Sequence, residues 1–226
     1  DTVAKTMFIL DASGSMRARI GGETKMSIAR RAMTGLLSNV SSNVHVGLMA
    51  YGHRRKGDCR DIEVLAPVGP ANTSALKARV NTLQPKGKTT ISNAVMTAAE
   101  QLKYAEEKAT VVLVSDGLET CKADPCALAS ALEKQGVDFT IHVVGFGLNR
   151  KQEAQLRCLA DNTGGDYFRA DNAGQLRDAL QTTLTSVEAE AIHVPTKRIT
   201  VKVPKKRIRI NAPRITVNVP NKSYAR

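Results

Sequence analysis

Hydrophobic and polar residues follow two alternating patterns along the first 187 positions of the chain. Short apolar runs bounded by turn residues predict buried strands, and longer segments with apolar residues three or four positions apart predict helices. The apolar runs predict strands over residues 6–10, 43–51, 61–67, 109–115, 137–145 and 166–169. The helical spacing predicts helices over residues 25–40, 74–83, 91–107, 125–135, 151–162 and 173–187.

Strands that alternate with helices are typical of an α/β fold, in which a mostly parallel sheet is covered on both faces. The predicted fold is therefore Rossmann-like, with a central sheet flanked by helices over residues 1–187. We expect the segments 43–51 and 61–67 to pair at one edge of this sheet. The crossover connections between parallel strands should be right-handed.

Oxygen-bearing side chains follow the first predicted strand directly. Asp11, Ser13 and Ser15 stand at every second position after the apolar run of residues 6–10. Open α/β sheets bind ligands at the carboxyl ends of their strands, and carboxylate and hydroxyl oxygens suit hard cations such as Mg²⁺. The location and the spacing predict a divalent cation that is held weakly and keeps one coordination position open.

Two further positions complete a known pattern. Thr89 precedes a predicted helix, and Asp116 follows the apolar run of residues 111–115. Together with Asp-x-Ser-x-Ser at residues 11–15, they resemble the metal-ion-dependent adhesion site of the von Willebrand factor A domain family, in its bacterial exported type. The resemblance covers roughly residues 3–185.

The resemblance implies a function as well as a fold. It implies that Mg²⁺, or Mn²⁺ or Ca²⁺, is held directly or through water by Asp11, Ser13, Ser15, Thr89 and Asp116. A partner protein would supply an Asp or Glu carboxylate to the metal, so the resemblance implies a binding module for adhesion or assembly and not an enzyme. A metal-dependent hydrolase is the less favoured alternative, because the sequence has no recognisable nucleophile with a neighbouring base.

Two polar loops are expected to frame the metal site. Residues 53–60 and 118–125 follow predicted strands and should reach the same end of the sheet. Their candidates for contact with a partner are His53, Arg54, Arg55 and Glu119.

The four cysteines lie at positions 59, 121, 126 and 158. An even number of cysteines, mostly in predicted loops, favours disulfides and an oxidising compartment. The rival interpretation is a zinc site with four cysteine ligands, but the paired CxxC signature of such sites is absent. Four cysteines allow three pairings, and the sequence does not choose between them. Cys158 lies in a helical pattern and is the first candidate for a free thiol.

The expected location is the periplasm, the cell surface or the medium, in agreement with the cysteines. No apolar run reaches the ~18 consecutive residues of a membrane span. No secretory signal pattern is recognisable, and because the chain starts at Asp1 we expect a processing or trimming site before it.

The excess of positive charge lies at the carboxyl end of the chain. The net charge is +12, and residues 195–226 hold ten Lys or Arg and no acidic residue. The other residues hold 23 of the 33 basic side chains and all 21 acidic ones, which is a net charge of +2. The predicted domain is thus nearly neutral, and residues 188–226 form a basic extension.

A repeated motif predicts strands in this extension. The segments 198–204, 207–213 and 214–220 share Arg-Ile, an alternation of polar and apolar residues, and a final proline. Alternation with period two is typical of strands, and proline ends each of them. We interpret the extension as strands for self-assembly or for addition to a partner's sheet. Binding to an anionic surface is the next alternative and binding to nucleic acid the last; the candidate contact residues are Arg198, Lys202, Arg207 and Arg214.

Overall fold

The computed structural model describes residues 3–136 and 138–192, which form a six-stranded sheet with helices on both faces. The strands are β1 Ala4–Asp11, β2 Arg19–Ile20, β3 Glu23–Thr24, β4 Val44–Tyr51, β5 Ile62–Pro70, β6 Ala109–Ser115, β7 Phe139–Phe146 and β8 Tyr167–Ala170. The helices are α1 Lys25–Leu37, α2 Thr73–Thr82, α3 Ile91–Gln101, α4 Pro125–Gln135, α5 Arg150–Asp161 and α6 Ala173–Ile192. The predicted contact residues Arg198, Lys202, Arg207 and Arg214 lie outside the described residues.

The central sheet has the strand order β5-β4-β1-β6-β7-β8. All neighbouring strands are parallel except β5, which runs antiparallel to β4 at one edge. The predicted α/β fold and the predicted edge pairing are therefore confirmed. Along the chain, β4 and β5 are added on one side of β1, and β6, β7 and β8 are then added on its other side. The direction in which strands are added therefore reverses between β1 and β6. Ligands of open α/β sheets bind at such a switch point.

The central strand β1 supports a separate core on each face of the sheet. Phe8 and Leu10 lie in a buried cluster with α1, α2 and α6, whereas Met7 and Ile9 lie in one with α3, α4 and α5. A strand that is buried on both faces reads as a continuous apolar run. This arrangement explains why the run of residues 6–10 lacks the alternation of a half-exposed strand.

Helix α3 ends at Gln101, earlier than the predicted residue 107. Lys103 has a left-handed φ of 56°. The Lys103 N–H bonds the Glu100 carbonyl, and the Tyr104 N–H bonds the Ala99 carbonyl, both at 3.1 Å. These bonds form a Schellman motif, which ends a helix. Glycine usually occupies the left-handed position at a helix end. Because lysine occupies it here, the sequence does not predict where α3 ends.

The hairpin of β2 and β3 lies outside the predicted elements. Its turn residues Gly21 and Gly22 have positive φ angles of 59° and 85°, as two-residue hairpin turns require. The hairpin leads from the 3₁₀ turn Gly14–Arg17 into α1. It therefore places Lys25, the first residue of α1, near the end of β1.

The last helix, α6, continues to Ile192, beyond the predicted end at residue 187. Leu176, Leu180 and Leu184 recur at every fourth position and are buried in the first cluster. No helix within the described ranges is long and apolar enough to cross a membrane.

Candidate functional site

Three loops meet at the carboxyl edge of the parallel strands, at the switch point between β1 and β6. The turn after β1 carries Ser13 and Ser15, the segment before α3 carries Thr89, and the loop after β6 carries Asp116. Ser15 Oγ donates a hydrogen bond to Asp116 Oδ1 at 2.5 Å. A Cβ atom on Gly117 would lie 3.7 Å from both Ser15 Oγ and Thr89 Oγ1. The fold thus brings side chains from all three loops together.

Asp11, the last residue of β1, is fully buried at this edge. Its Oδ1 accepts a hydrogen bond from the Ser13 N–H, and its Oδ2 accepts one from Ser115 Oγ, both at 2.8 Å. Burial, together with the nearby Asp116 carboxylate, raises the pKa of Asp11 to about 6 against the opposing effect of these hydrogen bonds. Two buried carboxylates close together are electrostatically unfavourable, and a bound cation would relieve the repulsion.

Ser115 and Tyr51 extend the support of Asp11 into the sheet. Tyr51 Oη donates a hydrogen bond to Ser115 Oγ at 3.1 Å, and both residues are fully buried. Burial raises the pKa of the Tyr51 hydroxyl well above its usual value. Neither residue belongs to the predicted site, because Ser115 ends an apolar run and Tyr51 ends a predicted strand. Sequence alone assigns both to the core.

A buried lysine contributes a positive charge to the site. Lys25 Nζ lies 3.0 Å from Asp116 Oδ2, and the two side chains are 11% and 0% exposed. Gly147 leaves space for this lysine, since a Cβ atom there would lie 3.1 Å from Lys25 Nζ. Lys25 is not among the predicted site residues, because nothing in the sequence pattern connects Lys25 with Asp116, 91 positions away.

The donor set fits a small, hard cation. It contains two carboxylates and three hydroxyls, and such oxygen ligands suit Mg²⁺, Mn²⁺ and Ca²⁺. The hydroxyl oxygens of Ser13 and Ser15 are 3.0 Å apart, which is about the separation of adjacent ligands in an octahedron with bonds of ~2.1 Å. Thr89 is 5% exposed and bonds Thr120 through its backbone, and its hydroxyl has no partner among the described residues. Within the same residues, no three His, Cys, Asp or Glu side chains cluster as metal ligands.

The loop between β4 and β5 is folded around the buried Asp61. The Oδ2 atom of Asp61 accepts hydrogen bonds from the N–H groups of Arg54 and Arg55, each at 2.8 Å. The Arg54 guanidinium bonds Oδ1 at 2.8 Å. His53 is 9% exposed and lies 2.8 Å from Glu63 Oε2. Of the contact residues predicted here, Arg54 and Arg55 are exposed, whereas His53 is buried within the loop's own structure.

Glu119, also predicted to contact a partner, bonds the backbone of its own chain. Its Oε2 accepts a hydrogen bond from the Ser92 N–H at 2.8 Å, and its Oε1 accepts one from the Cys121 N–H at 2.7 Å. A carboxylate at a helix amino terminus satisfies free N–H groups and interacts favourably with the helix dipole. Glu119 therefore joins the loop after β6 to the first turn of α3.

Two glycines allow the loops to approach each other closely. The Gly87 N–H donates to the Gly52 carbonyl at 2.7 Å, and the Gly14 N–H donates to the Gly87 carbonyl at 3.0 Å. A Cβ atom on Gly52 would lie 2.7 Å from the Lys88 carbonyl oxygen, and one on Gly87 would lie 2.5 Å from the Arg55 carbonyl oxygen. These contacts leave no room for a side chain, and they hold the segment before α3 against the turn after β1.

All four cysteines form disulfides. Cys59–Cys121 joins the β4–β5 loop to the loop after β6, and Cys126–Cys158 joins α4 to α5. The prediction of disulfides is confirmed, but the choice of Cys158 as first candidate for a free thiol is wrong. Helices α4 and α5 pack on the same face of the sheet, which brings the Cα atoms of Cys126 and Cys158 to 5.5 Å. Helical spacing within α5 does not contain this information.

Comparison with known proteins identifies the family. Residues 6–119 match the von Willebrand factor type A domain. The chain is 31% identical over 177 residues to YwmC of Bacillus subtilis, which covers 74% of this chain and 77% of that protein. It is 28% identical over 190 residues to YwmD of the same organism, covering 80% and 84%. The chain belongs to the von Willebrand factor type A domain family.

Solved structures share the fold at low sequence identity. A von Willebrand factor type A protein from Catenulispora acidiphila matches with a TM-score of 0.68 and 19% identity, over 82% of this chain and 43% of that one. The vWF domain of the type V pili tip protein Mfa5 from Porphyromonas gingivalis matches with a TM-score of 0.67 and 12% identity, over 86% and 98%. The pilus adhesin SpaC from Lactobacillus rhamnosus GG matches with a TM-score of 0.67 and 16% identity, over 83% and 31%. The chain thus spans less than half of the Catenulispora and SpaC chains, and the likeness concerns the fold.

Proposed function

We propose that the protein is a divalent-cation-dependent binding module that takes a carboxylate from a protein partner. The metal would be held by Asp11, Ser13, Ser15, Thr89 and Asp116. The observation that carries the proposal is the 2.5 Å contact between Ser15 Oγ and Asp116 Oδ1, whose residues are 101 positions apart. A second support is the Thr89 hydroxyl, which has no hydrogen-bond partner among the described residues and, like Ser15 Oγ, would lie 3.7 Å from a Cβ atom on Gly117.

The charges at the site favour an anionic ligand once a metal is bound. Asp11 and Asp116 carry two negative charges and Lys25 carries one positive charge, so the site alone has a single negative charge. A divalent cation supplies an electrophilic centre and changes the local sum to a single positive charge. A carboxylate is then attracted to a coordination position that Mg²⁺ otherwise fills with water. Lys25 keeps Asp116 Oδ2 in its ion pair, so Oδ1 is left for Ser15 and the metal.

Adhesion or assembly is the form of binding that we propose. Two of the structures that share the fold are a pilus adhesin and a pili tip protein. The two disulfides favour an oxidising compartment, so we propose the periplasm, the cell surface or the medium. The basic extension would then serve self-assembly or docking to the partner, with an anionic surface as the alternative.

Calorimetric titration of Mg²⁺ and Mn²⁺ tests the metal site. We expect wild type to bind with a measurable heat, and Asp116→Ala to abolish it. Asp116→Ala also leaves Lys25 without its ion-pair partner. Thr89→Ala therefore serves as the second variant, because the Thr89 hydroxyl has no hydrogen-bond partner among the described residues that the substitution would remove. We expect Thr89→Ala to weaken Mg²⁺ binding at least tenfold while the melting temperature changes little.

Ser92→Ala is the matched control, because Ser92 Oγ is also a hydroxyl without a partner among the described residues, and it is buried near the start of α3. Its affinity for Mg²⁺ should equal that of wild type. Equal affinities for wild type, Thr89→Ala and Asp116→Ala would contradict the metal assignment. A hydrolysis activity that requires Mg²⁺ and is lost in Asp116→Ala would contradict the proposal of a binding module without catalysis.

A further inference from the structure

We propose that the partner segment carries several carboxylates, of which one binds the metal and the others bind a basic rim around it. This inference rests on the proposed function and adds the chemistry of the partner. The basic rim consists of five exposed side chains at the carboxyl edge, namely Arg17, Lys56, Lys86, Lys88 and Lys122.

Four of the five rim residues lie on the loops that carry the candidate metal ligands, and Lys56 lies on the neighbouring β4–β5 loop. Arg17 closes the 3₁₀ turn that contains Ser15, and its Nε bonds the Pro85 carbonyl at 2.8 Å. The Lys86 N–H bonds the carbonyls of Ala12 and Gly52, at 3.2 and 3.0 Å. These bonds place the segment that carries Lys86 between the turn after β1 and the β4–β5 loop.

The remaining rim residues are tied to this segment by close contacts. Lys88 is adjacent to Thr89, and Lys56 is adjacent to Arg55, whose carbonyl oxygen lies against Gly87. Lys122 follows Cys121, which the disulfide links to the β4–β5 loop. The five basic residues therefore lie on the four loops that meet around the candidate metal site.

The rim charges have no acidic partner within the described part of the chain, whereas nearby acidic groups are engaged. Asp58 lies within 3.5 Å of both Arg55 and Arg60. Asp61 is held by Arg54, and Glu119 accepts two backbone hydrogen bonds. Because these nearby acidic groups are already engaged, the rim cations are left to bind an external anion.

The rim is a local feature, because residues 1–194 have a net charge of only +2. At the amino edge of the sheet, Lys5 pairs with Glu107, and Lys108 lies 3.3 Å from Asp138. Positive charge is therefore concentrated around the metal site and is balanced at the opposite edge.

A short acidic peptide fits this arrangement better than nucleic acid does. Nucleic-acid strands bind proteins through basic grooves combined with aromatic side chains that stack on bases. The aromatic residues at this edge, Tyr51 and Phe146, are fully buried and offer no stacking surface. A ring of cations around a single carboxylate site instead matches an Asp with further Asp or Glu residues beside it.

The test compares two synthetic peptides on the full chain by NMR titration, which measures weak affinities. One peptide is a Gly/Ser sequence with a single Asp, and the other has the same Asp flanked by Glu residues. In Mg²⁺ at about 50 mM salt, we expect the polyacidic peptide to bind wild type about tenfold more tightly. The ratio should fall toward one at about 500 mM salt, because salt screens exposed charges.

Two double variants with equal changes of charge locate the effect. The rim variant is Lys88→Gln with Lys122→Asn, and the control is Lys134→Gln with Lys103→Asn. The control lies at the amino edge, where Tyr104 contacts Phe139, and Lys103 has nearly the same φ as Lys122, 56° against 57°. Both proteins keep the basic extension, so its contribution to the affinity is the same. We expect the rim variant to lose at least half of the tenfold preference and the control to keep it.

The outcomes separate this inference from the proposed function. Equal peptide ratios in the rim variant and the control would overturn the rim while leaving metal-dependent binding intact. A rim-dependent preference that persists in EDTA would support the rim and contradict the metal-dependent function. A single-stranded oligonucleotide that binds more tightly than the polyacidic peptide, and loses affinity in the rim variant, would overturn the acidic-peptide partner.

Discussion

The two edges of the parallel sheet are built from different kinds of polar contact. At the carboxyl edge, Asp11, Asp61 and Asp116 are buried, Lys25 is nearly so, and the Cys59–Cys121 disulfide joins two loops. At the amino edge, the side chains of the Lys5–Glu107 pair are 37% and 40% exposed. Asn72 caps α2 there with its own side chain.

This difference shows that the energetically costly polar groups of this fold are the buried charges at the carboxyl edge. Buried charges need compensating partners, and removing one partner leaves the other unsatisfied. Exposed pairs contribute little, because water and salt solvate both groups. The carboxyl edge therefore holds buried charges that depend on one another, whereas the amino edge connects strands and helices by ordinary turns and caps. Four paired substitutions test this contrast.

The disulfides give the largest expected effect. We expect Cys59→Ser with Cys121→Ser, and likewise Cys126→Ser with Cys158→Ser, to lower the stability by about 4 kcal/mol, since they close loops of 62 and 32 residues. Only the first pair joins loops of the site, so it alone should weaken Mg²⁺ binding, about tenfold. Thermal unfolding measures the stability of both variants, and calorimetry measures their affinity for Mg²⁺. An equal loss of Mg²⁺ affinity in the two variants would contradict the expected difference between the two disulfides.

The buried ion pair should be the next largest effect. Lys25→Met leaves Asp116 without its cation, and we expect a loss of about 3 kcal/mol of stability without metal. The extra negative charge should raise the affinity for Mg²⁺ and lower that of the metal-bound protein for an acidic peptide. Urea unfolding and calorimetry provide the two measurements.

Lys5→Met is the matched control for this pair, because its partner Glu107 is exposed. It should cost less than about 1 kcal/mol and change neither affinity. If Lys25→Met lowered the affinity for Mg²⁺, the charge balance that we assign to the site would be incorrect.

A smaller effect is expected from glycine substitutions. Gly52→Ala puts a Cβ atom 2.7 Å from the Lys88 carbonyl oxygen at a φ of 72°. We expect a cost of about 2 kcal/mol and weaker Mg²⁺ binding, because the loop must shift. Gly35→Ala within α1 meets no atom within 4 Å and should stabilise the protein by up to about 1 kcal/mol. Denaturant titrations that give both variants the same sign would contradict this.

The helix caps give the smallest expected effect. Asn72→Ala removes the cap of α2 and should cost about 1 kcal/mol without changing Mg²⁺ affinity. Glu119→Gln removes the charge at the start of α3 and one of the two acceptor oxygens, so one backbone N–H loses its partner, at a cost of about 1 kcal/mol. Because Glu119 joins two loops of the site, the second variant should also reduce Mg²⁺ affinity, about twofold. Unchanged affinity in Glu119→Gln would mean that this capping contact does not position the site.

Local patterns were sufficient for the six strands of the central sheet and for part of the site, but not for the hairpin of β2 and β3. The apolar run before Asp11 specifies a strand buried on both faces, and Asp11, Ser13 and Ser15 lie within one turn of its end. Such features depend on neighbours in sequence, because burial and turn formation are decided over a few residues. The early end of α3 was missed, because a lysine takes the conformation that glycine usually adopts.

The sequence by itself therefore determined the α/β class, most of the element boundaries and the positions that the family resemblance marks. Only the tertiary structure decided that Lys25 neutralises Asp116, that Ser115 and Tyr51 support Asp11, and that Cys126 pairs with Cys158. These contacts join residues far apart in the chain. Their distances depend on the order of the strands and the packing of helices on each face, which no local pattern of hydrophobic and polar residues contains.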